Sequence, residues 1–254
     1  MAVSRRKKRR KSNTAAVYIP LAAILVSTLT VLGVSVFLRI IEIEVIGAEI
    51  YGSEQLINAS GISIGDNLLF LDASAAEQMI LSAMPYINEV IIEYSLPDKV
   101  LIRVSEATAI ATVDYLGGVS LIDYNGRVLE HMPVKPAGLI EIRGFTPADA
   151  SEGSMLRPSF GDDTRLRYLT EMLTAFEREG IQDQVTILDI SNIAFVSFVL
   201  NDRFTVIVGT TDNVRSKLSS LPEIIADIET REPRGENWTI HMTDREPWRF
   251  SPDR

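Results

Sequence analysis

The 254-residue chain contains no cysteine, only two histidines, and no acid ahead of Glu42. Each absence excludes something. Without cysteine there are no disulfides, no thiol nucleophile and no thiolate zinc site. With His131 and His241 far apart in the sequence, a histidine-centred catalytic or metal constellation has little to draw on. The chain also lacks Gly-x-Ser-x-Gly, a phosphate loop, His-Glu-x-x-His and the dinucleotide glycine fingerprint. Asp162-Asp163 is read as helix capping, not as a metal pair. Asp114 and Asp123 flank strands and are the only carboxylates that suggest sugar chemistry, although Asp123 also suits a turn.

Charge is missing from one long stretch. Ala15 to Leu38 holds 24 residues without an Asp, Glu, Lys or Arg. As a helix this run is about 36 Å long, against about 30 Å of bilayer hydrocarbon. A cleaved signal peptide has a shorter apolar region, about 7–15 residues, and a small-residue exit. Here the run leaves through Phe37-Leu38-Arg39-Ile40 into an apolar strand-like segment. The expectation is one retained transmembrane helix. Residues 5–11, Arg-Arg-Lys-Lys-Arg-Arg-Lys, orient it with the N terminus in the cytoplasm. Beyond the span, 18 Lys and Arg face all 34 Asp and Glu. So anionic an exterior repels phosphate backbones, and nucleic acid is not an expected partner.

Outside the span the pattern is α+β. Residues 40–46 read as a half-buried strand closed by Gly47. A short helix follows from Ser53, its expected N-cap, to Gly61. Asp72 caps a second helix over 73–83. Strands at 90–94 and 99–104 follow, the second with Val100, Ile102 and Val104 on one face. The order is β-α-α-β-β. Short strands come next near 109–115, 119–122 and 127–129, with Asn125-Gly126 as a hairpin turn. After a Pro- and Gly-rich stretch with a strand near 139–142, Asp162 or Asp163 starts a helix that ends at Gly180. Strands at 185–190, 194–200 and 204–209 precede a helix from Asp212 that Pro222 should kink or split. The last strand is 238–243, and 245–254 reads as a frayed tail.

Several short patterns in this order carry a resemblance: Ile43-Glu44-Val45-Ile46-Gly47, Ser60-Gly61-Ile62 with Gly65-Asp66-Asn67-Leu68, Met84-Pro85-Tyr86-Ile87, and Leu96-Pro97-Asp98-Lys99 through Val104-Ser105-Glu106. Leu121-Ile122-Asp123 with Gly126 and, more loosely, Leu188-Asp189-Ile190-Ser191, Val208-Gly209 and 238–252 extend it. The first exterior unit resembles a POTRA domain, and the chain is similar to the bacterial cell-division family FtsQ, also called DivIB. The family often carries Arg before the Leu-Pro and Arg-x-Pro after the Glu, where this chain has Glu93-Tyr94-Ser95 and Ala107-Thr108. The resemblance implies a basic tail (1–14), a transmembrane helix (15–38), a POTRA-like domain (39–107), a mixed α+β FtsQ/DivIB β-domain (108–244) and a tail (245–254). It implies a non-enzymatic divisome scaffold without cofactor: a single-pass type II plasma-membrane protein at the septum. The implied partners are FtsB/DivIC-like and FtsL-like bitopic proteins, which bear on the septal peptidoglycan synthase, with other divisome proteins at the POTRA-like unit.

The residues suit binding by edge strands. An open sheet edge offers unpaired N–H and C=O groups to another chain. Asn237, Trp238, Thr239, Ile240, His241, Met242 and Thr243 form a β-prone closing segment expected on an edge, with Trp238 either a partner anchor or a core residue. The rival expectation is a membrane-anchored cell-wall hydrolase using Asp114 and Asp123.

Overall fold

The computed structural model describes residues 15–159, 161–231, 237–242 and 249–252. The basic run at 5–11 and Thr243 lie outside the described residues.

Helix α1, Ala15–Phe37, carries no charged side chain, and Ser27 and Thr28 donate their hydroxyls to the Ile24 carbonyl, both at 2.8 Å. Ile19, Leu21, Ile24, Leu25 and Leu29 are exposed. Side chains on α1 are described in an unbroken stretch only over 18–29, and among the described residues no helix is long and apolar enough to cross a membrane.

The chain then enters a small three-stranded sheet. Strand β1 (Glu42–Ile46) runs parallel to β3 (Lys99–Glu106), which is antiparallel to β2 (Ile87–Ser95), giving the order β1-β3-β2. Helices α2 (Ser53–Ser60) and α3 (Ala73–Ala83) cover this sheet through Leu56, Ala76 and Ile80, which meet Ile87, Val100 and Ile102 in a core of their own. The alternation read from Val100, Ile102 and Val104 is the buried face of β3. Asp72 caps α3 as expected, accepting the Ala75 N–H at 3.0 Å. Ser53 does not cap α2. Gly52 takes that position, and its N–H donates to the Gln55 side chain at 2.9 Å. A glycine without a side chain caps nothing itself, so the Gln reaches back instead.

Glu106, at the end of β3, explains why an acid stands there. Its carboxylate accepts the backbone N–H groups of Glu49 (3.0 Å), Ile50 (2.8 Å) and Tyr51 (3.2 Å) and so fastens the loop after β1. Hydrogen bonds to a charged acceptor contribute about 1.5–3 kcal/mol. Glu106→Ala should destabilise the small sheet by about that much, read as a lower urea midpoint with an unchanged slope.

A second, nine-stranded sheet has the order β14-β13-β12-β11-β10-β7-β4-β5-β6. Its strands are β4 (Ala111–Tyr115), β5 (Gly118–Ile122), β6 (Val128–Met132), β7 (Ile140–Arg143), β10 (Val185–Asp189), β11 (Val196–Leu200), β12 (Phe204–Gly209), β13 (Trp238–His241) and β14 (Arg249–Pro252). A two-stranded ribbon, β8 (Pro147–Asp149) with β9 (Arg157–Pro158), stands where a loop was expected. Helices α4 (Asp163–Glu179) and α5 (Val214–Arg231) lay Leu169, Met172, Phe176, Leu218, Leu221 and Ile228 onto one core. Asn201 and Asp202, both with φ near 50°, turn β11 into β12, a conformation these side chains tolerate.

Two helices depart from expectation. Of the kink or split expected at Pro222 there is no split: α5 continues to Arg231 because buried residues on both sides of it, Leu218, Leu221, Ile224 and Ile228, pack into the same core. Asp162 precedes α4 but caps nothing with its side chain, because its carboxylate pairs with Arg165.

Candidate partner-docking edges

The closing segment is not where edge docking requires it. Strand β13 pairs with β12 on one side, in parallel from Phe204↔Trp238 to Ile207↔His241. On the other side it pairs with β14, antiparallel from Trp238↔Pro252 to His241↔Arg249. Trp238 is 6 % exposed and belongs to the large core with Ile240 and Met242. The edge placement of Trp238–His241 is therefore corrected, and Trp238 as an exposed anchor with it. Asn237 and His241 are exposed and Thr239 is half-buried, so the segment alternates between the core and the open face of the sheet.

The edge lies one strand further out. The Trp238 N–H donates to the Arg203 carbonyl and the Met242 N–H to the Ile207 carbonyl. Trp238 and Met242 thus address β12, so Thr239 and His241 address β14, where they face Ser251 and Arg249. In an antiparallel ladder such groups alternate, which turns the N–H and C=O of Phe250 away from β13. Pro252, which has no N–H, narrows the donor side of this short edge.

Two other edges, β2 and β6, are engaged by the chain's own groups. On β2 the Ile92 N–H donates to the Glu77 carboxylate at 2.9 Å. On β6 the His131 N–H donates to Glu152 at 3.0 Å, and Val128 exchanges hydrogen bonds with Gly153 and Ser154. Blunting of this kind suppresses unintended strand addition. Among the described residues, β14 pairs with β13 alone in the large sheet.

Beside β6 the two sheets meet. The Arg127 guanidinium donates to the carbonyls of Ile87 (2.7 Å) and Leu81 (3.4 Å), and the Tyr86 hydroxyl donates to Glu130 at 3.0 Å. Burial, and then the Glu130 hydrogen bond, push the Tyr86 hydroxyl well above the ordinary tyrosine range. The Met84-Pro85-Tyr86-Ile87 pattern is thus part of a seam, which the sequence left without a role. Arg127→Ala should loosen it at a cost of about 1–3 kcal/mol, with faster amide exchange in 81–88 and 128–132 while the α4–α5 core keeps its protection.

The carboxylates of the hydrolase reading do not converge. Asp123 is buried, and its carboxylate accepts the N–H groups of Asn125 (2.9 Å) and Arg127 (2.8 Å), which builds the turn that presents Arg127. Asp114 faces Val119 at the far end of the β4–β5 hairpin. Four residues of strand separate the two ends by roughly 13 Å, beyond the span of about 5–9.5 Å that glycoside hydrolysis uses. Ser120 and His131 Nδ1 are 2.9 Å apart, but Ser120 is sealed in the sheet where no substrate reaches it, and the His131 ring stacks on Tyr115. Among the described residues no His, Cys, Asp and Glu group could hold a metal ion.

An α+β unit of this order is joined by a polar seam to a larger nine-stranded sheet, which defines a two-domain α+β architecture. Residues 38–107 match the family described as "POTRA domain, FtsQ-type". The chain is similar to "Cell division protein DivIB" of Clostridium botulinum, 26 % identical over 91 % of this chain and 88 % of that protein. It is also similar to "Cell division protein FtsQ" of Corynebacterium glutamicum, 23 % identical over 89 % and 93 %, and to "Cell division protein DivIB" of Clostridium acetobutylicum, 27 % identical over 76 % of each. The chain thus carries an FtsQ-type POTRA domain and, over most of its length, is similar to bacterial cell-division proteins named DivIB and FtsQ.

Proposed function

We propose that this protein is a non-enzymatic scaffold of the divisome: a single-pass type II protein of the plasma membrane, cytoplasmic at its N terminus, with two outer domains at the septum, 39–107 and a second that starts at 108 and runs past the expected boundary at 244 to include β14. Its partners are FtsB/DivIC-like and FtsL-like bitopic proteins, and through them the septal peptidoglycan synthase; the POTRA-like domain receives other divisome proteins. Membrane anchoring by α1 is supported by 23 helical residues without a charge, about 35 Å long. The observation that carries the docking mechanism is the outward-turned backbone of Phe250 on β14, at the end of a sheet whose opposite edge, β6, is blunted by the chain's own groups.

The test uses the full chain in detergent and asks for co-purification of a DivIC-like partner. Phe250→Pro removes the outward N–H while leaving the bonds of Ser251 and Arg249 to β13, so partner recovery should fall at least tenfold. Phe250→Ala keeps that N–H and should retain binding. Equal binding by wild type and the proline variant, with unchanged circular dichroism, overturns strand addition at this edge.

A further inference from the structure

We propose that the membrane-proximal end of the small sheet is a lipid-contact surface: Ile41, Ile64, Leu69, Phe70 and Leu96 rest in the outer headgroup layer of the membrane that α1 crosses. The inference rests on the reading that α1 spans the bilayer.

Three segments come together at this end because of topology. Strand β1 leaves α1 and runs parallel to β3 with Glu42 beside Lys99, so the β2–β3 turn carrying Leu96 lies where β1 begins. The Ile41 N–H donates to the Asp98 carbonyl at 2.8 Å, which ties that turn to the exit of α1. The loop between α2 and α3 is tied there as well. Ile40 donates to Asp66 and accepts from Gly65, and Leu68 donates to Leu38, all at 2.8 Å. The Tyr94 hydroxyl reaches the Leu71 carbonyl at 2.9 Å and joins the loop to the end of β2.

No slack separates α1 from this surface. Ile40 is buried in the core of the small sheet, with Leu38 packed against it. A chain advances at most about 3.5 Å per residue, so Ile41 lies within roughly 14 Å of the last residue of α1. The headgroup region adds roughly 5–7 Å on each side of the hydrocarbon. The loop and turn bonded to residues 38–41 are therefore kept within reach of it.

These segments present large apolar side chains to solvent. Phe70 is 80 % exposed, Ile64 and Leu96 71 % each, Ile41 66 % and Leu69 59 %. Exposed apolar patches on otherwise polar domains mark contact surfaces. Two neighbouring charged groups are already engaged: the Asp66 carboxylate accepts the Ser63 N–H at 2.8 Å, and Lys99 sits between Glu42 and Glu44. Shallow apolar insertion beside an anchor meets both conditions of interfacial binding, a buried apolar face and a second membrane signal. The consequence is a fixed stance: the small sheet stands on the membrane and does not swing on a tether.

The cysteine-free chain permits a direct test. Single nitroxide labels are placed at Phe70→Cys, Leu96→Cys, Leu25→Cys and, as an aqueous control, Leu116→Cys. The full chain is reconstituted at low density in vesicles of equal phosphatidylethanolamine and phosphatidylglycerol. Collision with oxygen and with a water-soluble nickel chelate gives the depth of each label. The expected result is an oxygen-to-nickel ratio several-fold higher at 70 and 96 than at 116, with the highest ratio at 25. Label 25 in the bilayer with 70 and 96 matching 116 overturns the lipid-contact surface and leaves the spanning helix standing. Label 25 in water overturns both. Labels 70 and 96 shielded from both reagents would show a protein contact there, and that also overturns it.

Discussion

Trp238→Ala is expected to destabilise the large sheet by about 3–5 kcal/mol, the range for truncating a buried tryptophan or phenylalanine. The side chain is 6 % exposed among Phe204, Ile240 and Met242, and its strand is paired on both sides. An exposed hot-spot tryptophan behaves in the opposite way: truncation leaves stability within about 0.5 kcal/mol and removes binding. Urea denaturation separates the two, since the core role lowers the midpoint before any partner is added. Loss of binding by Trp238→Ala is thus no evidence of contact unless the variant is first shown to be folded at the assay temperature. A stability change below about 1 kcal/mol would contradict the packing described here. The same logic disqualifies Ile240→Pro as a binding probe. Ile240 is fully buried in a doubly paired strand, and a proline there breaks the sheet itself.

What the sequence made legible is what local chemistry decides. The β-α-α-β-β unit was readable because Val100, Ile102 and Val104 alternate, Asp72 caps, and Gly61 ends α2 with positive φ, as Gly180 ends α4 in the larger domain. The Asp123-to-Gly126 turn was readable for the same reason. The proposed docking edge was not, because being an edge is a property of the neighbours. Arg249-Phe250-Ser251-Pro252 lies between Pro247-Trp248 and Asp253-Arg254, has no run of β-branched residues, and reads as tail until β13 is seen beside it. Moving the edge by one strand buries Trp238. The seam was hidden for a related reason. Arg127 follows a turn like any surface cation, and its acceptors are backbone carbonyls 40 and 46 residues earlier, which leave no mark on residue type. Pro222 shows the converse: a local breaker overridden by a tertiary stripe.

The join between the two halves of the large sheet is the other place where one atom should matter. Strands β7 and β10 meet in parallel over only Glu141, Ile142 and Arg143 against Ile187, Leu188 and Asp189, and this short ladder links the β4–β6 hairpins to the strands that lead to β14, the proposed docking edge. Gly144 follows β7 at φ 81°, and a Cβ there would lie 2.2 Å from both the Cα and the backbone N of Ser191. That neighbour is backbone held by the Ile190 N–H bond to the Arg143 carbonyl at 2.9 Å, so it cannot swing aside. Gly144→Ala therefore combines left-handed backbone strain of about 1–2 kcal/mol with overpacking of about 1–3 kcal/mol, a total of about 2–5 kcal/mol. For a domain of this size that is a fall in Tm of roughly 5–15 °C. Gly138→Ala separates the two contributions. Gly138 has nearly the same φ, 84°, but no atom within 4 Å of an added Cβ, so its loss should stay near the strain alone. Equal Tm shifts for the two variants would mean that β7 and the Ser191 loop do not meet as closely as described. A larger loss at Gly144, with partner recovery falling in proportion to the unfolded fraction, would show that the proposed docking edge depends on a join five strands away from it.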